Sequence, residues 1–223
     1  MRRWLRRSND HDWIADQLER RGITDAEVLR AMRAVPREKF VPADMRRAAY
    51  ADGALSIGHG QTISQPYIVA SMTQALALPA WRELHDGEQP RVLDVGTGSG
   101  YQAAVLAEMG AKVVSIELEP ELAERAKRAL GESGYEVDVR IGDGSAGVPE
   151  EAPFAGIVVA AAAPQVPVPL VEQLAADGRL VLPVGTRWEQ VITLIRPIGD
   201  GFAQEPVEPA VFVPLLGEHG FKD

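Results

Sequence analysis

Hydrogen-bonding side chains crowd the stretch GHGQTISQP, residues 58–66. Within seven positions it carries His59, Gln61, Thr62, Ser64 and Gln65. The stretch has neither the alternation of a strand nor the 3.6-residue period of a helix until Pro66 is passed. It therefore predicts a polar loop with groups available to hold a ligand, followed by a helix that begins at Pro66. Taken alone, Ser64 or Gln65 has the simpler role of helix N-cap, although a cap that points into a cleft can also donate a hydrogen bond there.

A second segment with binding chemistry is the glycine-rich sequence LDVGTGSGY, residues 93–101. It ends a strand and begins a helix, so that free backbone N–H groups and the positive end of the helix face whatever binds there. A dinucleotide fingerprint has its third glycine three positions after the second. The glycines here are Gly96, Gly98 and Gly100, so the match to a pyrophosphate site is imperfect.

Acidic residues close the next two strands. Glu117 follows Gly100 by 17 residues, and a carboxylate there can accept both hydroxyls of a ribose. Asp143 lies between two glycines and can accept a hydrogen bond from an adenine amino group. Three strand ends thus converge on one nucleoside, and S-adenosylmethionine is the predicted ligand. The competing interpretation is a turn that only joins strand to helix, with solvated carboxylates. The predicted cofactor residues are Gly96, Thr97, Gly98, Ser99, Gly100, Glu117, Leu118, Asp143 and Gly144.

Alternating strands and helices must position these strand ends. Strands rich in Val, Ile and Leu, separated by helices, indicate a mostly parallel sheet buried on both faces, in a doubly wound, Rossmann-like α/β fold. Two final segments without an intervening helix, QVITLIRP and EPVEPAVFVPLL, predict an antiparallel pair at the C-terminal edge. The preceding predicted elements are RVLDV, a helix Tyr101 to Met109, KVVSIE, a helix from Pro120 to about Leu130, EVDVRI, GIVVA, a helix Pro169 to Ala175, and GRLVLPV.

Helical patterns precede the sheet and occupy residues 1 to about 55. TDAEVLRAMRAVP begins with a capping box of Thr24 and Glu27, a neighbouring helix contains Trp13, and ADMRRAAYAD predicts a third helix. The polar loop ELHDGEQP marks the best internal boundary. We expect one domain over residues 1–223, with a helical and active-site segment at 1–80 and a cofactor-binding α/β core at 88–223.

Composition limits the classes of function. Lys and Arg number 23 against 32 Asp and Glu, and the net charge of −9 repels the phosphates of nucleic acid. The basic start lacks the apolar core of an export signal, and polar residues with three prolines interrupt 157–174, so no membrane span is predicted. The absence of cysteine excludes thiolate chemistry, and the four His residues lack metal-ligand spacing. These features favour a cytoplasmic, soluble monomer without a metal.

Several segments together resemble the protein-L-isoaspartate O-methyltransferase family, from about Val35 to the tail VFVPLLGEHGF. The resemblance implies methyl transfer from S-adenosylmethionine to the free α-carboxylate of L-isoaspartyl residues in damaged proteins and peptides. The methyl ester then loses methanol and recloses a succinimide, which hydrolyses partly to normal aspartate. The segments are GHGQTISQPYIVA, LDVGTGSGYQAAVLAEM, VVSIELEP, GDGSAG, AAAPQVP and GRLVLPVG.

The resemblance also implies roles for particular residues. Ser64 matches the catalytic serine of the family. The acceptor carboxylate is already ionised at pH 7, so it needs desolvation and alignment with the methyl group rather than a strong base. Ser64 and Thr62 are neutral hydrogen-bond donors that can hold it. The absence of Lys and Arg from residues 48–81 fits this chemistry. Gln190 is assigned to the cofactor, and the substrate side takes His59, Ile63, Ser64, Leu182, Pro183 and Val184, with Leu182 to Val184 pairing through backbone atoms with the peptide.

Departures from the family pattern keep other functions open. Relatives usually carry Asp in place of Ala155 and small, Gly-rich residues in place of Thr186 to Trp188. One alternative is a carboxyl methyltransferase of a small acid or a dedicated peptide. Another is a non-catalytic binder that retains the fold. An NAD oxidoreductase fits the glycine spacing least well.

Overall fold

A computed structural model of the chain describes residues 13–222. Seven strands form one sheet, and the other two strands form a separate hairpin that precedes this sheet in the sequence. The strands are β1 (Leu55–Gly58), β2 (Gln61–Ile63), β3 (Arg91–Val95), β4 (Lys112–Glu117), β5 (Asp138–Ile141), β6 (Phe154–Val159), β7 (Leu174–Gly185), β8 (Gln190–Ile198) and β9 (Gly201–Ala210). The α-helices are α1 (Trp13–Gln17), α2 (Ala26–Ala34), α3 (Pro66–Leu76), α4 (Leu78–Leu84), α5 (Tyr101–Glu108), α6 (Pro120–Ser133) and α7 (Val168–Glu172).

The sheet has the order β5-β4-β3-β6-β7-β8-β9. The pairs from β5 to β7 are parallel, and β7–β8 and β8–β9 are antiparallel. Alternate residues of the strands enter two apolar clusters, as Val92 and Leu93 do on β3. The predicted α/β fold with an antiparallel C-terminal edge is therefore confirmed. None of the helices between Trp13 and Lys222 is long and apolar enough to cross a bilayer.

The predicted capping box is wrong. The N-cap of α2 is Asp25, whose Oδ1 accepts hydrogen bonds from the N–H groups of Glu27 at 2.8 Å and Val28 at 3.2 Å. Thr24 instead donates its N–H to Gln74 Oε1 of α3. An Asp side chain satisfies two free N–H groups at this position, so the helix begins one residue later than the sequence pattern indicates.

Three other predicted elements differ from the structure. The third N-terminal helix is a 3-10 helix, Ala43–Ala48. Helix α7 ends at Glu172, because β7 already begins at Leu174 and pairs with Phe154 of β6. Strand β9 starts at Gly201, earlier than predicted, because Gly199 and Asp200 form a tight hairpin turn after β8, with Gly199 at φ 55°. The predicted helical residues 1–12 lie outside the described residues.

The polar stretch 58–66 folds as a hairpin rather than as a loop alone. His59 and Gly60 adopt φ of 53° and 70° between β1 and β2. Pro66 occupies the first turn of α3, as predicted. Arg125 of α6 donates to the carbonyl of Ile57 at 2.8 Å and ties the hairpin to the α/β core. The hairpin therefore holds the residues that follow it at a fixed place beside the sheet.

Candidate active site

A cleft, here called the central cleft, lies between the end of β2 and the carboxyl edge of the sheet. Its enclosed volume is about 100 Å³, and the cleft opens to solvent at its mouth. Residues 61–64, here called the hydroxyl-bearing segment, line one wall. The glycine turn and the end of β4 line the other wall. The predicted residues that line it are Thr62, Ile63, Ser64, Gly96, Thr97, Gly98, Ser99, Glu117, Leu118 and Gly144.

The glycine turn faces this cleft through unusual backbone angles. Gly96, Gly98 and Gly100 have φ of 88°, 53° and 87°, in a left-handed region that side chains disfavour. Gly96 and Gly98 line the cleft. Gly100 is instead the N-cap of α5, and a Cβ atom there would lie only 3.2 Å from Leu130 Cγ of α6. Gly100 thus permits close helix packing beside the site.

Glu117 is held rigidly at the end of β4. One carboxylate oxygen accepts the N–H of Gly98 at 2.7 Å, and the other accepts the N–H of Glu119 at 3.0 Å. The residue is 8% exposed and lines the central cleft. Because each carboxylate oxygen can accept about two hydrogen bonds, one further acceptor position remains on each. Two acceptors side by side are what the two hydroxyls of a ribose require.

The floor of the cleft is partly apolar. Ile116, Leu118 and Leu215 contribute apolar side chains to its lining. A Cβ atom at Gly144 would lie 2.6 Å from Val95 Cγ1, so only glycine fits there. Together with the Glu117 carboxylate, this lining fits an adenosine-containing cofactor such as S-adenosylmethionine. No group of three or more metal-binding side chains occurs among residues 13–222.

Ser64 lines the central cleft and is not the N-cap of the helix that follows it. The N-cap of α3 is Gln65, and its side chain makes no capping hydrogen bond. Gln65 Nε2 donates to Asp52 Oδ1 at 2.5 Å instead. The Ser64 carbonyl is bound by a buried side chain, Arg37 Nη2, at 2.7 Å. Ser64 and Thr62, the two hydroxyl-bearing residues of this segment, therefore line the cleft, and the Ser64 backbone is held by Arg37.

Three predicted polar residues do not line the central cleft. His59 lies at the hairpin turn, with Nε2 3.2 Å from Glu121 Oε2. Asp143 accepts hydrogen bonds from the N–H and hydroxyl of Ser145 and, at 2.7 Å, from the N–H of Glu218. Gln190 donates to Thr186 O at 2.5 Å and accepts the N–H of Phe212 at 2.8 Å. The side chains of Asp143 and Gln190 thus hold the C-terminal segment against the sheet.

The predicted backbone pairing of a peptide with Leu182 to Val184 finds no free strand edge. Strand β7 is internal, and Leu182 and Val184 pair with β8. On the other side, Pro183 O accepts the N–H of Ala163 at 2.9 Å. Leu182 is also fully buried. Because the strand order is a tertiary property, the sequence alone does not reveal that both edges are occupied.

Sequence reasoning missed lining residues from the C-terminal segment and from α5. Val213, Pro214, Leu215 and Leu216 of the C-terminal segment line the central cleft. Their only sequence signal is the run VFVPLL, which pairs with Ala162 by an isolated bridge rather than as a strand. Tyr101 and Gln102 of α5 also belong to the lining.

A side recess adjoins the central cleft and shares Thr62 and Ser64 with it. Arg21 lines this recess, and its guanidinium carbon lies 3.5 Å from the centroid of the Tyr67 ring. Glu208 of β9 also lines the recess and accepts the hydroxyl of Ser71. Residues 48–81 contain no Lys or Arg, yet a cation from the N-terminal region still reaches the neighbourhood of Ser64.

A buried carboxyl group supports the glycine turn from within the sheet. Asp94 is fully buried in β3, and its Oδ2 accepts the hydroxyl of Ser115 at 2.8 Å. The same Ser115 oxygen lies 2.6 Å from Thr97 Oγ1 of the turn. Asp94 Oδ1 has no hydrogen-bond partner within the described part of the chain. Burial raises the pKa of Asp94 to about 7, because desolvation disfavours the carboxylate.

We expect Asp94 to make stability fall as the pH rises. Its ordinary pKa is 3.8, so between about pH 4 and pH 7 the folded state keeps a proton that the unfolded state releases. The contribution of Asp94 to the free energy of unfolding is complete at low pH and is lost as the pH rises through the pKa of the folded state. In Asp94→Asn, which cannot titrate, the free energy of unfolding relative to wild type should rise by on the order of 2 kcal/mol from pH 5 to pH 8. Urea denaturation at both pH values measures this change, and a difference independent of pH contradicts it.

Comparison with known proteins finds relatives whose sequences match nearly the whole chain. The family model described as Protein-L-isoaspartate(D-aspartate) O-methyltransferase matches residues 9–220. A protein-L-isoaspartate O-methyltransferase from Methanoculleus marisnigri is 47% identical over 218 residues, covering 97% of this chain and 95% of the relative. One from Gloeobacter violaceus is 50% identical over 207 residues, covering 92% of this chain and 97% of the relative.

Solved structures have the same fold. A structure described as a protein-L-isoaspartate O-methyltransferase from Plasmodium falciparum, in complex with S-adenosyl-L-homocysteine, superposes with a TM-score of 0.75. It is 26% identical and covers 93% of this chain and 99% of its own. A second protein-L-isoaspartate O-methyltransferase gives a TM-score of 0.79 at 28% identity, covering 93% of this chain and 66% of its own.

Proposed function

The chain belongs to the protein-L-isoaspartate(D-aspartate) O-methyltransferase family, and from this premise we propose which of its residues carry the reaction. The enzyme uses S-adenosylmethionine to methylate L-isoaspartyl residues of damaged proteins. The residue roles rest on one observation, the shared central cleft. Ser64 and Thr62 line the same cleft as Gly96, Gly98 and Glu117.

The sheet edge is the cofactor side. Glu117 accepts the ribose hydroxyls with the lone pairs that its two backbone bonds leave free. Gly96 and Gly98 allow the ligand to approach the backbone, and the apolar floor beside Gly144 takes the adenine. When bound, S-adenosylmethionine supplies an electrophilic methyl group on a positively charged sulfur. Asp143 contributes by fixing the C-terminal segment that closes this side of the cleft.

The hydroxyl-bearing segment is the acceptor side. The isoaspartyl α-carboxylate is ionised at neutral pH, so the enzyme needs no strong base to make it a nucleophile. Ser64 and Thr62 donate hydrogen bonds that orient it, while Ile63, Val69 and Met72 in the lining exclude water. Neutral donors hold the anion without a permanent ion pair. Most of the catalytic effect is thus alignment and desolvation of an oxygen that is already charged.

The flanking peptide lies in the side recess, which opens next to Ser64. Arg21 and Glu208 both line this recess and offer partners of either charge to the backbone or side chains of the substrate. The proposal replaces pairing with β7, whose edges are occupied. The acidic, cysteine-free composition further supports a monomer that works in the cytoplasm.

A paired-peptide assay tests this function. The purified protein is given labelled S-adenosylmethionine and two peptides that differ only in an L-isoaspartyl or a normal L-aspartyl linkage. We expect label in the isoaspartyl peptide alone, because only that linkage presents a free α-carboxylate on a side branch. Free isoaspartate and other small acids are the control for a small-acid methyltransferase. Equal labelling of both peptides contradicts the proposal, and cofactor binding without labelling of either identifies a non-catalytic binder.

A further inference from the structure

A fully buried arginine lies behind the hydroxyl-bearing segment. Arg37 begins a 3-10 helix, Arg37–Lys39, and is 0% exposed. Its Nε donates to the carbonyl of Ala49 and its Nη2 to the carbonyl of Ser64, both at 2.7 Å. The guanidinium carbon lies 4.8 Å from the centroid of the Tyr101 ring. One planar group thus links the N-terminal region, the segment that carries Ser64 and the first residue of α5.

This buried cation is costly for the fold. No ion pair joins Arg37 to a carboxylate in the part of the chain between Trp13 and Lys222. Its Nη1 is buried and has no hydrogen-bond partner among those same residues. Burial lowers the pKa of Arg37 to about 10, although the nearby Tyr101 and Tyr50 partly oppose this. Two backbone carbonyls alone do not require a charge, so packing gives an incomplete reason for an arginine here.

The contacts of the planar Arg37 guanidinium explain its effect on the site. Ser64 is the last residue but one before α3, and its carbonyl orientation sets the direction of the peptide that follows. Tyr101 lines the central cleft and follows Gly100, the last glycine of the turn. A planar guanidinium can bind two acceptors and contact an aromatic ring at the same time in a fixed geometry. A lysine ammonium cannot make all three contacts in that geometry. Arg37 therefore fixes the acceptor wall of the cleft relative to the cofactor wall.

We propose that Arg37 is a positioning residue for methyl transfer, which holds Ser64 at the distance and angle that the acceptor carboxylate requires. This role rests on the proposed function of Ser64. Arg37 itself lies outside the lining of the central cleft. It acts on the reaction through the backbone of Ser64 and through Tyr101, and not by contact with either ligand.

Arg37→Lys and Arg37→Met test the proposal by kinetics and binding. We expect kcat on an isoaspartyl peptide to fall by on the order of 10- to 100-fold, because a small misplacement of a positioned group is enough for such a loss. The dissociation constant of S-adenosyl-L-homocysteine, measured by calorimetry, should stay close to wild type, because Glu117 and Gly98 keep their contacts. Arg82→Met is the control for loss of an arginine, since Arg82 donates to Met109 O at 3.0 Å and pairs with Glu27, outside the lining of the central cleft.

A double-mutant cycle separates positioning from a merely structural role. If Arg37 acts through the Ser64 hydroxyl, Arg37→Lys should cost little further kcat in a Ser64→Ala background. Full additivity, or an unchanged kcat in folded Arg37→Lys, overturns the proposal. So does a loss of kcat that only follows the folded fraction in circular dichroism. If Ser64→Ala itself leaves kcat unchanged, the role of Ser64 fails first, so the two failures are distinguishable.

Where the truncated variants fold poorly, chemical rescue keeps the test decisive. Arg37→Ala leaves a cavity of guanidinium shape, and added methylguanidinium should restore part of the lost kcat. The same addition should leave Ser64→Ala and Arg82→Met unchanged. An unchanged kcat in folded Arg37→Ala, or a recovery of kcat that only follows a recovery of the folded fraction, contradicts the positioning role.

Discussion

Ser64→Ala is expected to lower kcat on an isoaspartyl peptide by about 10²- to 10³-fold, the usual effect of removing one positioned hydrogen-bond donor from a water-poor site. Ser64 lines the central cleft, and the N-cap of α3 is Gln65, so the hydroxyl of Ser64 is not needed to begin the helix. The dissociation constant of S-adenosyl-L-homocysteine should barely change, because the cofactor side of the cleft keeps all of its groups. Steady-state kinetics and calorimetry measure the two quantities separately.

Two variants complete this experiment. Ser64→Thr keeps a hydroxyl and should retain more activity than Ser64→Ala. Ser56→Ala, on β1 opposite Thr62, removes a hydroxyl outside the lining of the cleft and should leave kcat unchanged. Wild-type kcat in Ser64→Ala would mean that the hydroxyl takes no part in the reaction.

Glu117→Gln should weaken cofactor binding by about 10²-fold, since a hydrogen bond to a charged group is worth roughly 1.5–3 kcal/mol. The carboxylate accepts N–H groups at both oxygens, from Gly98 and Glu119. A glutamine must turn its own NH₂ group towards one of these donors, which disturbs the turn as well as the ribose contact. At saturating cofactor, kcat should recover more fully than in Ser64→Ala, because the acceptor side of the cleft is intact.

Glu124→Gln is the control for this prediction. Glu124 lies on α6 and pairs with Lys127 at 2.8 Å on the exposed surface. The same change of charge there should leave the dissociation constant of S-adenosyl-L-homocysteine unchanged. An equal weakening in both variants would mean that net charge, rather than the ribose contact, controls affinity.

Local patterns in the sequence predict both walls of the central cleft. Gly96 and Gly98 follow a buried strand and precede a helix, and Glu117 ends the next strand, so parallel pairing brings them to one edge. The hydroxyl-rich stretch before Pro66 is equally local. Side chains whose position depends on neighbouring residues can thus be assigned before the structure is known.

Roles that depend on distant partners are not visible in this way. Asp143 meets Glu218, 75 positions later, and its carboxylate binds the C-terminal segment. The edges of β7 at Leu182 to Val184 are occupied only because β8 pairs on one side and Ala163 binds on the other. Arg37 resembles any surface arginine in the sequence VPREKF, and only packing shows it buried behind Ser64. Tertiary contacts decide these cases, and one sequence does not contain them as a pattern.

A crystal structure of the protein with S-adenosyl-L-homocysteine and an isoaspartyl peptide tests the central claim most directly. The measured quantities are the distances from the peptide's α-carboxylate to the Ser64 hydroxyl and from the ribose hydroxyls to Glu117. We predict that both are hydrogen bonds, of about 3.2 Å or less, within the same cleft. A carboxylate bound away from Ser64, or a ribose that does not contact Glu117, would contradict the account.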